Sequence, residues 1–571
     1  MADEPLTIRG ISWRQTFPFI HLFRAFRVAV HPSKLVLALV ALFLLFAGGH
    51  VLDLVWSVNC RAVPNEISLY EQFSGHGKPG QTFEDFRKAA RDQIEFDYAQ
   101  QLLAYKVEPD EKSAMTAAHD GAELGTLKTR IVDKRKKAQA DAAEAKDRAI
   151  AAGKSRDEAD LDYKSTVGEA YATASGEYQR ALLIKNVGLF ETCFDYESNQ
   201  LSYLIRAVPD WNWFGRENID VTDNVAGLPA AAGPVTQPGV VQSAMRFFTV
   251  APLWLMSKHP LFFILFGMMF LVLWSLFGGA ISRIAAVHVA RDEKMSIRSA
   301  LMFSGGKFLS FLFAPIIPLM IVVGVGLLVA AGSALANIPY FGPIVVGAVF
   351  ILALAAGFIM ALVLLGLIGG FNLMYPTVAV EGSDSFDAIS RSFSYLYARP
   401  WRLGFYTLVS GVYGAAAYSF VRLFIFLMLI LAHKFGGIAV VASANSGASL
   451  WNSLWPDPGF TGRLSYEIDT LSLTFPEEIG ARLIWLWVHL VIAILGAFAV
   501  SFYFSANTII YYLMRREVDA TDIDDVYLEL VNDEFADPIM PDAPPTDAPE
   551  PTATVIVEKT TVVQSDTAPE A

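Results

Sequence analysis

No Asp, Glu, Lys, Arg or His occurs from Phe308 to Val380, a run of 73 residues. One bilayer crossing needs roughly 20 apolar residues, so a charge-free run of this length excludes a soluble fold and requires more than one crossing. Cysteine is scarce as well, and the spacing of the only two, Cys60 and Cys193, suggests no metal site. Enzymatic signatures are missing. The nine histidines show no H-E-x-x-H spacing, and no G-x-S-x-G elbow occurs. Gly305-Gly306-Lys307 is not a P-loop, because Leu301 stands where the first glycine belongs and Phe308 where the Ser or Thr belongs. Asp522, Asp524 and Asp525 lack the glycine and distal Glu of a calcium loop and read as a polar juxtamembrane segment. Catalytic, cofactor-binding and metal-ligating residues are thus expected to be none, with no cofactor.

What is present is apolar, with 54% hydrophobic and only 18% charged residues. A mean hydropathy of +0.40 is too high for a soluble chain of this length and too low for one that lies wholly in the membrane, so a large aqueous part is required. The formal charge of −13 is concentrated at one end. After Arg516, fifteen acidic residues face the single Lys559, a balance of −14 that leaves the first 516 residues near +1. Prolines from Pro538 to Pro551 keep that tail from forming a core, so it is expected to be disordered beyond Asp537. Val526, Tyr527, Leu528, Leu530 and Val531 suggest a short surface helix before it.

Six apolar windows read as spans: 35–56, 261–281, 308–328, 344–368, 403–420 with an extension to 432, and 483–512. Pro339 and Pro343 divide the charge-free run, and Gly369 to Val380, interrupted by Pro376, is too short to cross alone. The extension Leu423 to Ala432 either lengthens its helix or lies along the interface. With six spans, the basic residues before the first, between the second and third, between the fourth and fifth, and after the sixth all share one side. That side is then the cytoplasm, with both termini in it and a cell (inner) membrane location. The first span reads as an uncleaved anchor, since its basic leader is long and no A-x-A-like site follows. His50, Asp53, Arg422 and His489 can each be placed near an outer edge by counting rise, so no buried charge pair is required.

The insert, 57–260, falls outside. Two Ala-rich arms, 112–152 and one opened by the Ser155 to Glu158 capping box, are expected to form an antiparallel helical hairpin around Gly153. The basic run from Asp133 to Lys137 is followed at once by Asp141, Glu144 and Asp147 and reads as a solvated helix face, not a nucleic-acid site. Cys60 and Cys193 both lie in the insert, where an oxidising compartment makes them a disulfide candidate; two unpaired thiols are the other reading.

Several spans are entered through a cation or His beside Pro: His31-Pro32, His259-Pro260, and Arg399-Pro400-Trp401-Arg402. Amphipathic segments precede them, most clearly Phe386, Ile389, Phe393 and Leu396 on one helical face. Val289-Ala290-x-Asp292 aligns with Val378-Ala379-x-Glu381, and Ser296-Ile297 with Ser385-Phe386, either as duplicated pairs of spans or by chance. In these features residues 260–515 resemble uncharacterised bacterial multi-span integral membrane proteins, including the membrane region attached to some glycerophosphodiester phosphodiesterases. No hydrolase barrel accompanies that region here, so the resemblance implies no catalytic residue.

The fold expected is an all-α membrane protein of six transmembrane helices, with a large extracytoplasmic helical-hairpin insert and a disordered acidic tail. The function expected is a non-enzymatic envelope protein with a scaffold or protein-interaction role. Its partners would be the lipid bilayer and proteins met by the hairpin and tail, not nucleic acid. A transporter or channel-like protein is the alternative, with Gly324, Gly326, Gly357, Gly366 and Gly369 either lining a path or packing helices. A lipid-modifying enzyme is a third reading, for which no nucleophile stands out.

Overall fold

The computed structural model describes residues 17–57, 60–76, 82–108, 123–217, 236–442, 444, 449–460, 464–469 and 471–527. The N-terminal residues before Phe17, the start of the first arm at 112–122 and the acidic tail from 528 lie outside the described residues.

After a 3-10 turn at Pro18–Phe23, helix α1 (Arg24–Ala29) leads to α2 (Pro32–Val55), the first of six helices long and apolar enough to cross a membrane. His31 ends the approach in an extended conformation and Pro32 opens α2. There the missing proline N–H costs nothing, since the first turn has no partner for it. The insert follows as α3 (Glu66–His76), α4 (Phe83–Ala104), α5 (Leu124–Ala151), α6 (Arg156–Leu182), α7 (Leu189–Ala207) and α8 (Val240–Lys258). Between α7 and α8, Arg216–Glu217 pairs antiparallel with Thr236–Gln237. The second span is α9 (Pro260–Leu273), which passes through a π turn at Trp274–Gly278 into α10 (Gly279–Arg291). Then come α11 (Ile297–Gly306), α12 (Phe308–Ala334), α13 (Phe341–Glu381), α14 (Ser385–Ala398), α15 (Pro400–Gly437), the short α16 (Leu450–Leu454) and α17 (Phe475–Val518).

The helices outrun the windows read from composition. At 1.5 Å per residue the 41 residues of α13 extend about 60 Å, roughly twice the hydrocarbon thickness. Gly369 to Val380 is therefore not a separate short segment, because α13 runs on through Pro376 to Glu381. A proline inside a helix frees one carbonyl and costs about 3 kcal/mol. Here Leu373 to Val380 is buried on every side, and packing outweighs that cost. Of the two readings of Leu423 to Ala432, the continuous helix is the one found, with α15 unbroken to Gly437.

Burial is concentrated at one end of the bundle. Much of α12 and the first half of α13 present large side chains outward, among them Leu327, Leu328, Leu352 and Phe358. By contrast α10 is buried from Gly279 to Val289, and α17 almost continuously from Ala497 to Arg515. Residues 17–31, 279–306, 373–402 and 498–527 gather at this end, called the base below. Its core joins Leu22 and Val28 with Ala286, Tyr395, Phe498, Ile509 and Tyr512.

At the base one local architecture occurs twice. Both α10 and α13 end on a left-handed residue, Asp292 (φ 57) and Gly382 (φ 65). A capping side chain then opens a short helix: Ser296 accepts from the Ser299 N–H, and Asp384 from the Asp387 N–H. Each short helix packs back on the helix before it. Ser304 Oγ donates to the Leu276 carbonyl at 2.7 Å, and a Cβ placed on Gly366 would stand 2.6 Å from the Phe393 ring. The two N-caps, Ser296 and Asp384, differ by one residue from the register of the sequence alignment.

In the insert, α5 and α6 lie side by side around a turn at Gly153 (φ 91), with Lys146 paired to Asp160 and Lys134 to Glu177. Leu127, Ile131, Ala174 and Ala181 are buried together with Tyr98 and Leu102 of α4. The run Asp133 to Lys137 is not wholly solvated. Arg135 is only 5% exposed and donates to the Leu471 carbonyl in the loop before α17.

Candidate functional site: a charged clasp at the base of the bundle

Three buried helical stretches bring Arg283 of α10, Glu381 at the end of α13 and Arg515 near the end of α17 to the base. Arg515 Nε lies 2.8 Å from Glu381 Oε1, and its two terminal nitrogens donate to the Asp525 carbonyl (2.8 Å) and Asp525 Oδ2 (2.7 Å). Glu381 also accepts from the Tyr511 hydroxyl at 2.9 Å. Arg283 donates to the carbonyls of Ala379 (2.8 Å) and Tyr527 (2.7 Å), while its guanidinium lies 4.2 Å over the Phe303 ring. The chain after α17 is thereby folded back as a strap over the ends of α10 and α13. The strap's Tyr527 N–H donates to the Val380 carbonyl at 2.8 Å, and Val526 is buried.

A second ring surrounds this centre. Arg391 of α14 binds both oxygens of Asp387 at 3.0 Å and approaches Glu381 at 3.7 Å. Tyr395 donates to Asp519; burial and that carboxylate push the Tyr395 hydroxyl up from its ordinary range. Glu517 accepts from Arg402 and Tyr406 of α15. At the N-terminal side Asp292 receives Arg27 at 2.8 Å. Each of these carboxylates is met by a cation or a hydroxyl donor, so the clasp is suited to holding the helices in one arrangement. Such an arrangement favours one relative placement of these helices. Gly382→Ala tests the strap: φ is +65, and the added Cβ would stand 2.5 Å from the Tyr527 ring. Loss of about 1–3 kcal/mol is expected, with the strap cut sooner by protease while the spans stay intact.

Asp522, Asp524 and Asp525 thus divide in their roles, Asp525 being taken up by Arg515, and residues 522–527 form a strap with a turn at 523–524, not the start of a helix. Buried charge does exist in the chain, at the helix ends. Sequence reasoning missed it because Arg283, Glu381 and Arg515 lie far apart in the chain. The available signal was that each is the first charge met after a long apolar run. Arg422 is 5% exposed and donates to the Phe460 carbonyl at 2.9 Å, so the loop before α17 holds its guanidinium. His489 stacks on Trp485 with ring centres 4.0 Å apart. Gly366 and Gly369 are packing positions against Phe393 and Leu396, whereas Gly324 and Gly357 have open space where a Cβ would stand.

At the opposite end of the spans the insert has its own buried ion pair. Glu66 is fully buried, with Arg87 Nε at 3.0 Å, the Val63 N–H donating at 2.8 Å and Trp254 Nε1 at 3.3 Å; His259 Nε2 stands at 3.8 Å, too far for a hydrogen bond. Burial alone would raise the Glu66 carboxyl, but His259, Arg87 and the Val63 N–H together hold it below its ordinary value. Asp53, in the last turn of α2, accepts from the Phe190 and Glu191 N–H groups at 2.9 and 3.1 Å and so caps α7. Gly188 is required beside it, since a Cβ there would fall 2.1 Å from the carboxylate. Neither cysteine is bonded in this structure. Cys60 is exposed, and Cys193 packs half-buried near Trp254 and Phe262, where burial pushes its thiol up. Among the described residues no group of three or more His, Cys, Asp and Glu side chains could hold a metal ion.

No protein-family model, curated protein or solved structure matches this chain.

Proposed function

We propose that this multi-pass chain is a non-enzymatic scaffold of the cell (inner) membrane, with both termini cytoplasmic and the α5–α6 pair presented outside the cytoplasm to protein partners. The observation that carries the reading is the brace from Arg135 to Leu471, which ties the middle of a long charged helix pair to the membrane bundle. Held by this brace and by α4, the pair keeps its direction while its outer faces stay exposed. Basic loops on the side of the base supply the orientation. Purification from the native membrane, of the intact chain and of one with 124–182 replaced by a short Gly/Ser link, tests this. Stoichiometric protein retained by the first and lost from the second is expected; equal retention, or none, contradicts it.

A second reading rests on a crevice of about 380 Å³ between α9, α12 and α13, lined only by apolar residues such as Leu271, Pro315, Leu319 and Phe371. That volume lies within the usual ligand range of about 300–1,000 Å³ and would suit a protein that handles a lipid or an apolar solute. One lipid class held stoichiometrically through purification would favour it.

A further inference from the structure

The insert carries an apolar surface that no part of the described chain covers. On α7 and its C-cap, Phe194, Leu201 and Val208 recur every seven residues and are all exposed. On α8, Val241, Met245, Phe248 and Met256 form a matching exposed stripe. Both stripes point the same way. Glu71 of α3 accepts from Tyr196 of α7 at 3.2 Å and pairs with Arg246 of α8 at 2.7 Å, while α3's Glu66 receives Trp254. Tyr196 and Trp254 stand about half a turn from the stripes, so α3 covers one side of the helix pair and the stripes face the other.

Ring contacts fix the level of that face. Phe194 lies 5.4 Å from Phe46, inside the α2 span, and Phe190 lies 5.6 Å from Phe266 of α9. The stripe on α7 is therefore continuous with the outward surface of α2, where Phe43 and Phe46 are themselves exposed. Beyond α7 the chain turns through Trp211, Trp213 and Phe214; Trp211 and Phe214 are 74% and 79% exposed.

We propose that α7 and α8 lie in the bilayer interface, with their stripes sunk into the leaflet distal to the base and Trp211, Trp213 and Phe214 as its anchors. An exposed apolar face on a soluble insert would invite association, whereas one continuous with lipid-facing spans and tipped with tryptophan matches the chemistry of the headgroup boundary. The insert is thus held to the membrane along α7 and α8 as well as through the two spans. This holds whichever side of the membrane the insert occupies, and so stands apart from the scaffold reading.

The test uses the full chain in phosphatidylcholine–phosphatidylglycerol nanodiscs, in a Cys60→Ser, Cys193→Ser background. Nitroxide labels are placed at Leu201→Cys, Phe248→Cys and Trp211→Cys, with Asn199→Cys and Arg206→Cys as controls on the other edge of α7. Relaxation by oxygen relative to a water-soluble nickel chelate is expected to be severalfold higher at the three stripe and tip positions. Ratios equal to the controls overturn the proposal. Low relaxation by both agents at the stripe also overturns it, since a protein surface would then cover the face. Hydroxyl-radical footprinting of the unsubstituted chain gives a second readout: Met245 and Met256 should be oxidised severalfold less in nanodiscs than in the same chain unfolded in denaturant, and equal oxidation counts against burial in lipid.

Discussion

Arg515→Met lowers the stability of the bundle by about 3–5 kcal/mol, the cost of leaving one charge of a buried pair without its partner. Glu381 and Arg515 are only 15% and 8% exposed, so solvent does little to screen them. The substitution also removes both donors to Asp525, so the strap loses its principal hold on α17. Glu381→Gln keeps the acceptor for Tyr511 but not the charge, and a smaller loss is expected. In the double variant the losses add to less than their sum, because the second substitution removes the charge that the first left stranded. Unfolding of detergent-solubilised protein, followed by denaturant titration, measures all three. Additive losses would show that the two side chains act independently.

Glu66→Ala destabilises the insert by a comparable amount, about 3–5 kcal/mol, since Arg87 is left mostly buried with its main partner gone and the Val63 N–H and Trp254 Nε1 lose their acceptor. The same carboxylate makes the insert acid-sensitive. Its value is held below that of a free glutamate, so its contribution is complete above the ordinary carboxyl range and is lost as pH falls through the folded value. Unfolding of the insert in the wild-type chain should therefore ease as the pH is taken below about 4.5, and Glu66→Gln should flatten that part of the profile. An unchanged acid limb in the Gln variant would assign the sensitivity to other groups.

Six crossings are legible in the sequence because the absence of charge is a property of the chain taken in order. Helix ends are not legible in the same way. Pro376 reads as an interruption, yet it lies within α13, where α10 and α17 enclose it. Arg135 reads as one of a cluster of solvated cations, and only the approach of the loop at Leu471 removes it from water. The pairing of Glu381 with Arg515 joins helices separated by the whole of α14 and α15, and no local pattern encodes it. Amphipathic spacing in α14 gives the helix and part of its packed face, with Ile389, Phe393 and Leu396 against the core, but not its most deeply buried residues. Ala388, Ser392 and Tyr395 are covered, while Phe386 stays exposed, because small and hydroxyl-bearing residues fit the close contact with α13.

In the proposed topology the charged base and the α5–α6 turn lie at opposite ends of the spans, with the base in the cytoplasm. Single cysteines at Asp292→Cys and Lys154→Cys, in a chain lacking Cys60 and Cys193, can be challenged with a membrane-impermeant maleimide in intact spheroplasts. Labelling at 154 with protection at 292 until lysis is the predicted result; labelling of both in intact spheroplasts, or the reverse pattern, would contradict it.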